Sequence, residues 1–170
     1  MRTLLVALAS ALALGAGAHP ARTQSRSQRH VRKELEAKYA KVAEAYRNKD
    51  IRAFMENKTP DFTGKSLGGQ VATREQVEAG VRQRMGRIKR LNHLRIRINK
   101  LSVAGDVAVA VTTQEFSRVV TDPQGREHTV VTRGTTHRDT WVRTGEGWML
   151  KSVEELKQGR EYVDRRAVSP

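Results

Sequence analysis

The stretch from Asp106 to Glu155 reads DVAVAVTTQEFSRVVTDPQGREHTVVTRGTTHRDTWVRTGEGWMLKSVEE, three long alternating segments joined by two turns. Val107, Val109 and Val111 alternate with Ala108, Ala110 and Thr112, the two-residue period of a strand with one buried face. Asp122-Pro123-Gln124-Gly125 carries Asp, Pro and Gly at the first, second and fourth positions of a type I turn, and Thr144-Gly145-Glu146-Gly147 closes another hairpin. Immediately upstream, Leu94, Ile96 and Ile98 alternate with Arg95, Arg97 and Asn99, and Ala104-Gly105-Asp106 turns that segment into the next. Four antiparallel strands follow, with sequence neighbours paired. At about 11 to 18 residues each they exceed the usual strand length, so a flat sheet would outrun so small a domain. The sheet therefore has to bend, through bulges near Gly134, and enclose whatever precedes it as a half-open cone.

What precedes it is helical. Leu35, Tyr39, Val42, Ala43 and Tyr46 recur at three- and four-residue spacing, which predicts a helix over about Gln28 to Asn48. Asn48-Lys49-Asp50 breaks it, and a short helix over Ile51 to Asn57 turns Ile51, Phe54 and Met55 inward before Pro60. Asp61 to Ser66 and Gly69 to Ala72 read as a small hairpin with Phe62 buried. Thr73 followed by Gln76 has the spacing of a capping box, so a third helix starts there and runs to Met85 or Gly86.

The first eighteen residues read as an address. Met1-Arg2-Thr3 is a short positive start, Leu4 to Leu14 is apolar, and Ala16-Gly17-Ala18 supplies the small residues of a cleavage site. The apolar run is shorter than the ~20 residues of a membrane span. Export, to a periplasmic or extracellular location, with cleavage before His19 is the expectation. The chain has no Cys, which excludes disulfides and lipid attachment at that site. Roughly 150 residues then remain, enough for a single core.

The formal net charge is +14. Arg22, Arg26, Arg29, Arg32 and Lys33 lie without an acid between His19 and Lys33, a flexible arm over residues 19–30 leading into a helix, and a second run from Arg82 to Lys100 holds eight Lys or Arg with no acid between them. A solvated basic surface is one reading; attachment to an anionic envelope polymer or lipid surface is the other. Neither cluster interleaves aromatics for base stacking, so sequence-specific nucleic-acid recognition is not expected.

Helices, a short hairpin before the third of them, and a sheet ending in Asp139-Thr140-Trp141-Val142-Arg143 and Gly147-Trp148-Met149-Leu150-Lys151-Ser152-Val153 together resemble the nuclear transport factor 2-like superfamily, nearest its SnoaL-like and DUF4440 families. The resemblance covers about Val31 to Leu156. It implies an α+β fold with three N-terminal helices packed in a strongly curved antiparallel sheet, the cystatin-like cone, over a domain of residues 31–158 followed by a tail at 159–170. It also implies a pocket between sheet and helices and a homodimer formed through the sheet. The superfold hosts isomerases, cyclases, dehydratases and non-catalytic proteins alike.

Gly64-Lys65-Ser66 imitates the end of a phosphate-binding loop, but Thr59 stands where the first Gly is required. His93, His128 and His137 lack metal-ligand spacing, and no metal or cofactor is expected. The ketosteroid isomerase branch places an acid in the short hairpin, where Phe62-Thr63-Gly64-Lys65 has none and Asp61 faces away from Phe62. The cyclase-like branch takes an acid and a His from the sheet, which here means Asp139 and His137. By strand parity Trp141 shares the face of Asp139, and Ser152 and Glu154 share the face of Trp148 and Leu150. With Tyr39, Tyr46 and Phe62 from the helical side, these are the candidate ligand contacts. The expected function is binding of a small, partly apolar molecule without catalysis. The alternatives are a cofactor-independent isomerase, cyclase or dehydratase using Asp139 and His137, and an envelope module acting through its basic clusters.

Overall fold

The computed structural model describes residues 26–168; the expected leader at 1–18 and most of the expected basic arm lie outside the described residues. Helix α1 (Arg26–Asn48) buries Val31, Leu35, Tyr39, Ala45 and Tyr46, the face that the three- and four-residue spacing marks out. It starts earlier than the sequence suggests and takes in residues 26–30 of the arm. Arg32 accounts for part of this, because its guanidinium donates to the Ile98 carbonyl and ties the first turns to the sheet. Helix α2 (Ile51–Glu56) is capped by Asp50, whose carboxylate accepts from the Ala53 amide.

Strands β1 (Lys58–Lys65) and β2 (Val71–Thr73) pair antiparallel and separate α2 from α3 (Arg74–Arg87). The first half is therefore not a block of three helices, since strand interrupts it. The Thr73–Gln76 capping box that starts α3 is complete in both directions.

Strands β3 (Ile88–Ala104), β4 (Val107–Thr121), β5 (Glu127–Thr144) and β6 (Gly147–Lys157) form the antiparallel meander. Two additions lie beyond the sequence reading. The first is β1, which joins the outer edge of β6 in parallel, so the sheet is mixed and its main path runs β2-β1-β6-β5-β4-β3. The second is that the residues taken for a tail form β7 (Arg160–Val163), paired with β5, and β8 (Arg166–Ala167).

Helix α3 touches both β1 and β3, strands near opposite ends of that path, which requires the sheet to curl around the helices. Register shifts supply the bend. One sits at Gly134, whose φ of 81° is open to glycine without strain, and others interrupt β3 at three places and β6 at two. The core forms two clusters on the inner face. One gathers Leu35, Tyr39, Phe62, Trp141, Trp148 and Leu150; the other gathers Tyr46, Phe54, Val81, Met85, Leu94 and Phe116.

Candidate functional site

Between these clusters the inner face leaves a cavity of about 780 Å³. Helix α1 supplies Tyr39, Val42 and Tyr46; α3 supplies Val77, Val81 and Arg84; the sheet supplies Thr112, Gln114, His137, Asp139, Leu150, Val153 and Glu155. The wall is largely apolar, with polar groups converging from β4 and β5, the composition of a small-molecule site.

Asp139 is the chemical centre. It projects from the inner face of β5, is 4% exposed, and lines the cavity. Its Oδ2 accepts from the Tyr39 hydroxyl at 2.5 Å and from the Thr112 hydroxyl at 3.2 Å. Its Oδ1 is buried with no protein partner. Burial drives its pKa up to about 6, against the pull of the Tyr39 and Thr112 hydrogen bonds and the Lys58 charge. A carboxylate tuned toward neutrality, with one oxygen held and one free, has the form of a general base.

Tyr39 is held in turn. Trp141 Nε1 donates to its oxygen at 3.2 Å, and the two rings meet edge to face at 5.4 Å. Burial, the Asp139 charge and the hydrogen bond to Asp139 raise the Tyr39 pKa, so the phenol stays protonated and donates.

His137 also lines the cavity, opposite Glu155 across β5 and β6. Burial lowers its pKa and Glu155 opposes that shift, which favours the neutral ring. Asp139 is oriented by Tyr39 and Thr112 rather than by His137, so the two sequence candidates share a face without forming a hydrogen-bonded pair.

Tyr46 and Phe62 stand on the cavity wall as the spacing suggests. Three other candidates do not. Trp141 is fully buried behind Tyr39 and supports the site from the core. Ser152 and Glu154 face outward, because Trp141 pairs with Leu150 and Thr140 with Ser152, leaving Lys151 as an extra residue that inverts the parity of β6. Val153 and Glu155 take the inner positions instead, and Glu154 pairs outside with Lys65 and Arg138. Asp61 is exposed beside Lys151, away from Phe62.

The sequence reading missed two residues. Thr112 was read only as one of an alternating row, although a hydroxyl among Ala108 and Ala110 on the buried face marks a position needing a polar partner. Lys58, 5% exposed, sits four residues before Phe62 at the start of β1, where nothing local marks a lysine for burial. Among the described residues, no cluster of three or more His, Asp or Glu side chains is placed to hold a metal ion.

Comparison with known proteins places this geometry in a family. The model of the SnoaL-like domain matches residues 25–154. Among proteins of curated function none matches. Solved structures share the fold at low identity. A candidate dehydratase of the nuclear transport factor 2-like family from Streptomyces avermitilis is 17% identical with a TM-score of 0.56, covering 75% of this chain and 96% of that one. A nuclear transport factor 2-like superfamily protein from Salmonella enterica serovar Typhimurium is 15% identical with a TM-score of 0.57, covering 76% and 92%. A domain of unknown function with a cystatin-like fold from Nostoc punctiforme is 12% identical with a TM-score of 0.53, covering 77% of each. The chain belongs to the SnoaL-like domain family, and its fold is that of solved nuclear transport factor 2-like proteins.

Proposed function

We propose that this protein binds a small, partly apolar carbonyl compound in the cavity and catalyses proton transfer on it without a cofactor, as an isomerase or dehydratase. The observation that carries the reading is the state of Asp139: a buried carboxylate facing the cavity, with its pKa pushed up to about 6 and one oxygen left unpartnered. A purely binding pocket gains nothing from an acid whose ionisation is costly there, whereas a base working near neutral pH requires such tuning.

In this reading the Asp139 carboxylate takes a proton from carbon next to the carbonyl, while Tyr39 and Thr112 hold Oδ2 and fix the carboxylate plane. The apolar wall of Val42, Val77, Val81, Leu94 and Ile96 gives the apolar part of such a ligand its contact surface. His137, kept neutral by burial, is placed on the same wall to relay a proton to a leaving or rearranging oxygen. The resemblance in fold to a candidate dehydratase agrees with this chemistry.

The test is exchange of solvent deuterium into the α-carbon of cyclic ketones and β-hydroxy ketones, followed by proton NMR. Wild-type protein should accelerate exchange, and Asp139→Asn should lose at least about 10²-fold of the acceleration while remaining folded. Equal exchange in both proteins would return the cavity to the non-catalytic binding role.

A further inference from the structure

Lys58 is a buried amine that the proton-transfer reading does not use. Its Nζ donates to the Phe54 carbonyl at 2.5 Å and more weakly to Asn57 Oδ1 at 3.4 Å, and it lies 3.6 Å from the centre of the Phe54 ring. It lines the same cavity as Asp139. Among the described residues no carboxylate forms an ion pair with it, and Asp139 acts on it only through the longer-range field. A buried ammonium without an ion-pair partner is costly, so the neutral form is favoured. A neutral amine has two N–H bonds and one lone pair. Its two acceptors, Phe54 O and Asn57 Oδ1, use the N–H bonds and leave the lone pair free for the cavity.

We propose that Lys58 is a nucleophile that forms an imine with the carbonyl group of the cavity ligand, a proposal that rests on the carbonyl substrate class above. The amine attacks the carbonyl carbon, forming the C–N bond as the C=O π bond opens onto oxygen, and the proton that the nitrogen then loses passes to that oxygen to give a neutral carbinolamine. The carboxylic acid form of Asp139 gives a proton to the departing hydroxyl, which leaves as water, so one ligand and one lysine yield one imine and one water. Protonated on nitrogen, the imine withdraws electrons from the neighbouring C–H more strongly than the carbonyl did, and the Asp139 carboxylate then removes that proton. Burial, with the Arg74 charge adding to it, brings the Lys58 pKa down to about 7, against the opposing pull of Asp139, so a large share of the amine is neutral at physiological pH. Arg74 from α3 and Asp139 from β5 are the charged groups that act on this amine, while His137 and Glu155 line the same cavity.

The test uses the wild-type protein with cyclohexanone or hexanal as probe and cyanoborohydride to reduce any imine to a stable secondary amine, followed by peptide mapping. At pH 7 an ordinary lysine is neutral in roughly one molecule in two thousand and Lys58 in about one in two, so by neutral fraction alone Lys58 should be modified on the order of 10³-fold faster than the surface lysines. Its labelling rate should reach half-maximum near pH 7, and Lys58→Met should lose that adduct alone. Labelling spread over surface lysines and the N-terminus, with Lys58 unmodified, would overturn the proposal. The two readings separate cleanly. Exchange without a Lys58 adduct leaves Asp139 as a base acting on the free carbonyl, and a Lys58 adduct without Asp139-dependent exchange leaves the nucleophile and removes the base.

Discussion

The contact between Tyr39 and Asp139 joins residues a hundred positions apart and makes a sheet carboxylate answer to a helix phenol. Because the Tyr39 hydrogen bond lowers the Asp139 pKa, its loss in Tyr39→Phe should raise that pKa above about 6 and move the acid limb of any exchange profile to higher pH. The same change leaves Trp141 Nε1 without its acceptor, and a thermal melt should register a loss of about 1–3 kcal/mol. Asp139→Asn works in the opposite direction on stability. A carboxyl raised in the folded state favours folding fully below its ordinary pKa, and that contribution is lost as pH rises through the folded value near 6. Asparagine keeps an oxygen for Tyr39 but cannot ionise. The variant should therefore match wild type near pH 4 and exceed it by up to about 3 kcal/mol at pH 8, read from paired melts. A difference independent of pH would mean that Asp139 does not change charge in that window.

At the scale of elements, the bulges decide which side chains meet. Gly134 holds φ of 81° with open space around it, so Gly134→Ala should cost about 1 kcal/mol through backbone strain alone. Gly86 in α3 also has open space but no positive φ, so Gly86→Ala should instead gain about 0.5–1 kcal/mol, and paired denaturant titrations would show the opposite signs. The long alternating strands, the capping box and the apolar stripe of α1 were legible in the sequence because each is a local pattern. Parity along β6 was not, because Ser152 and Glu154 were placed by counting in twos from Trp148 and Leu150, past the extra residue Lys151. The sequence does carry a trace of such bulges: Ile88, Leu91 and Leu94, then Ile98 and Leu101, and Leu150 and Val153, are inward apolar residues spaced by three where an unbroken strand spaces them by two. Lys58 left no comparable trace: Phe54 and Phe62 lie four residues to either side of it, but that spacing alone does not say that the ammonium turns in over their rings instead of out to solvent.

For the whole molecule, one sheet face is covered by helices and the other is not. Val107, Val142 and Met149 are neighbours across β4, β5 and β6 on the outer face, with Val109 beside them and the Arg138–Glu154 pair at their margin. We propose that a second copy of the chain covers this face, since an apolar centre edged by both charge signs is self-complementary about a two-fold axis. Sedimentation at micromolar concentration should give twice the chain mass; a monomer there would remove the dimer. Export stands as a proposal resting on the leader sequence, and N-terminal sequencing of secreted protein should begin at His19. Arg32 at the start of α1 donates to the Ile98 carbonyl of the edge strand β3, and we propose that the basic residues of these two elements attract an anionic envelope polymer.

The proposed proton transfer turns on one ionisation, which ¹³C NMR of the labelled aspartate carboxyls can follow directly in the ligand-free protein. With Asp139→Asn to assign the resonance, the Asp139 carboxyl should titrate near pH 6, more than a unit above an ordinary aspartate, as its burial beside Tyr39 requires. Titration at or below the ordinary carboxylate range near 4 would contradict the account, because an acid fully ionised and solvated at neutral pH is not the poised base that the cavity is proposed to contain.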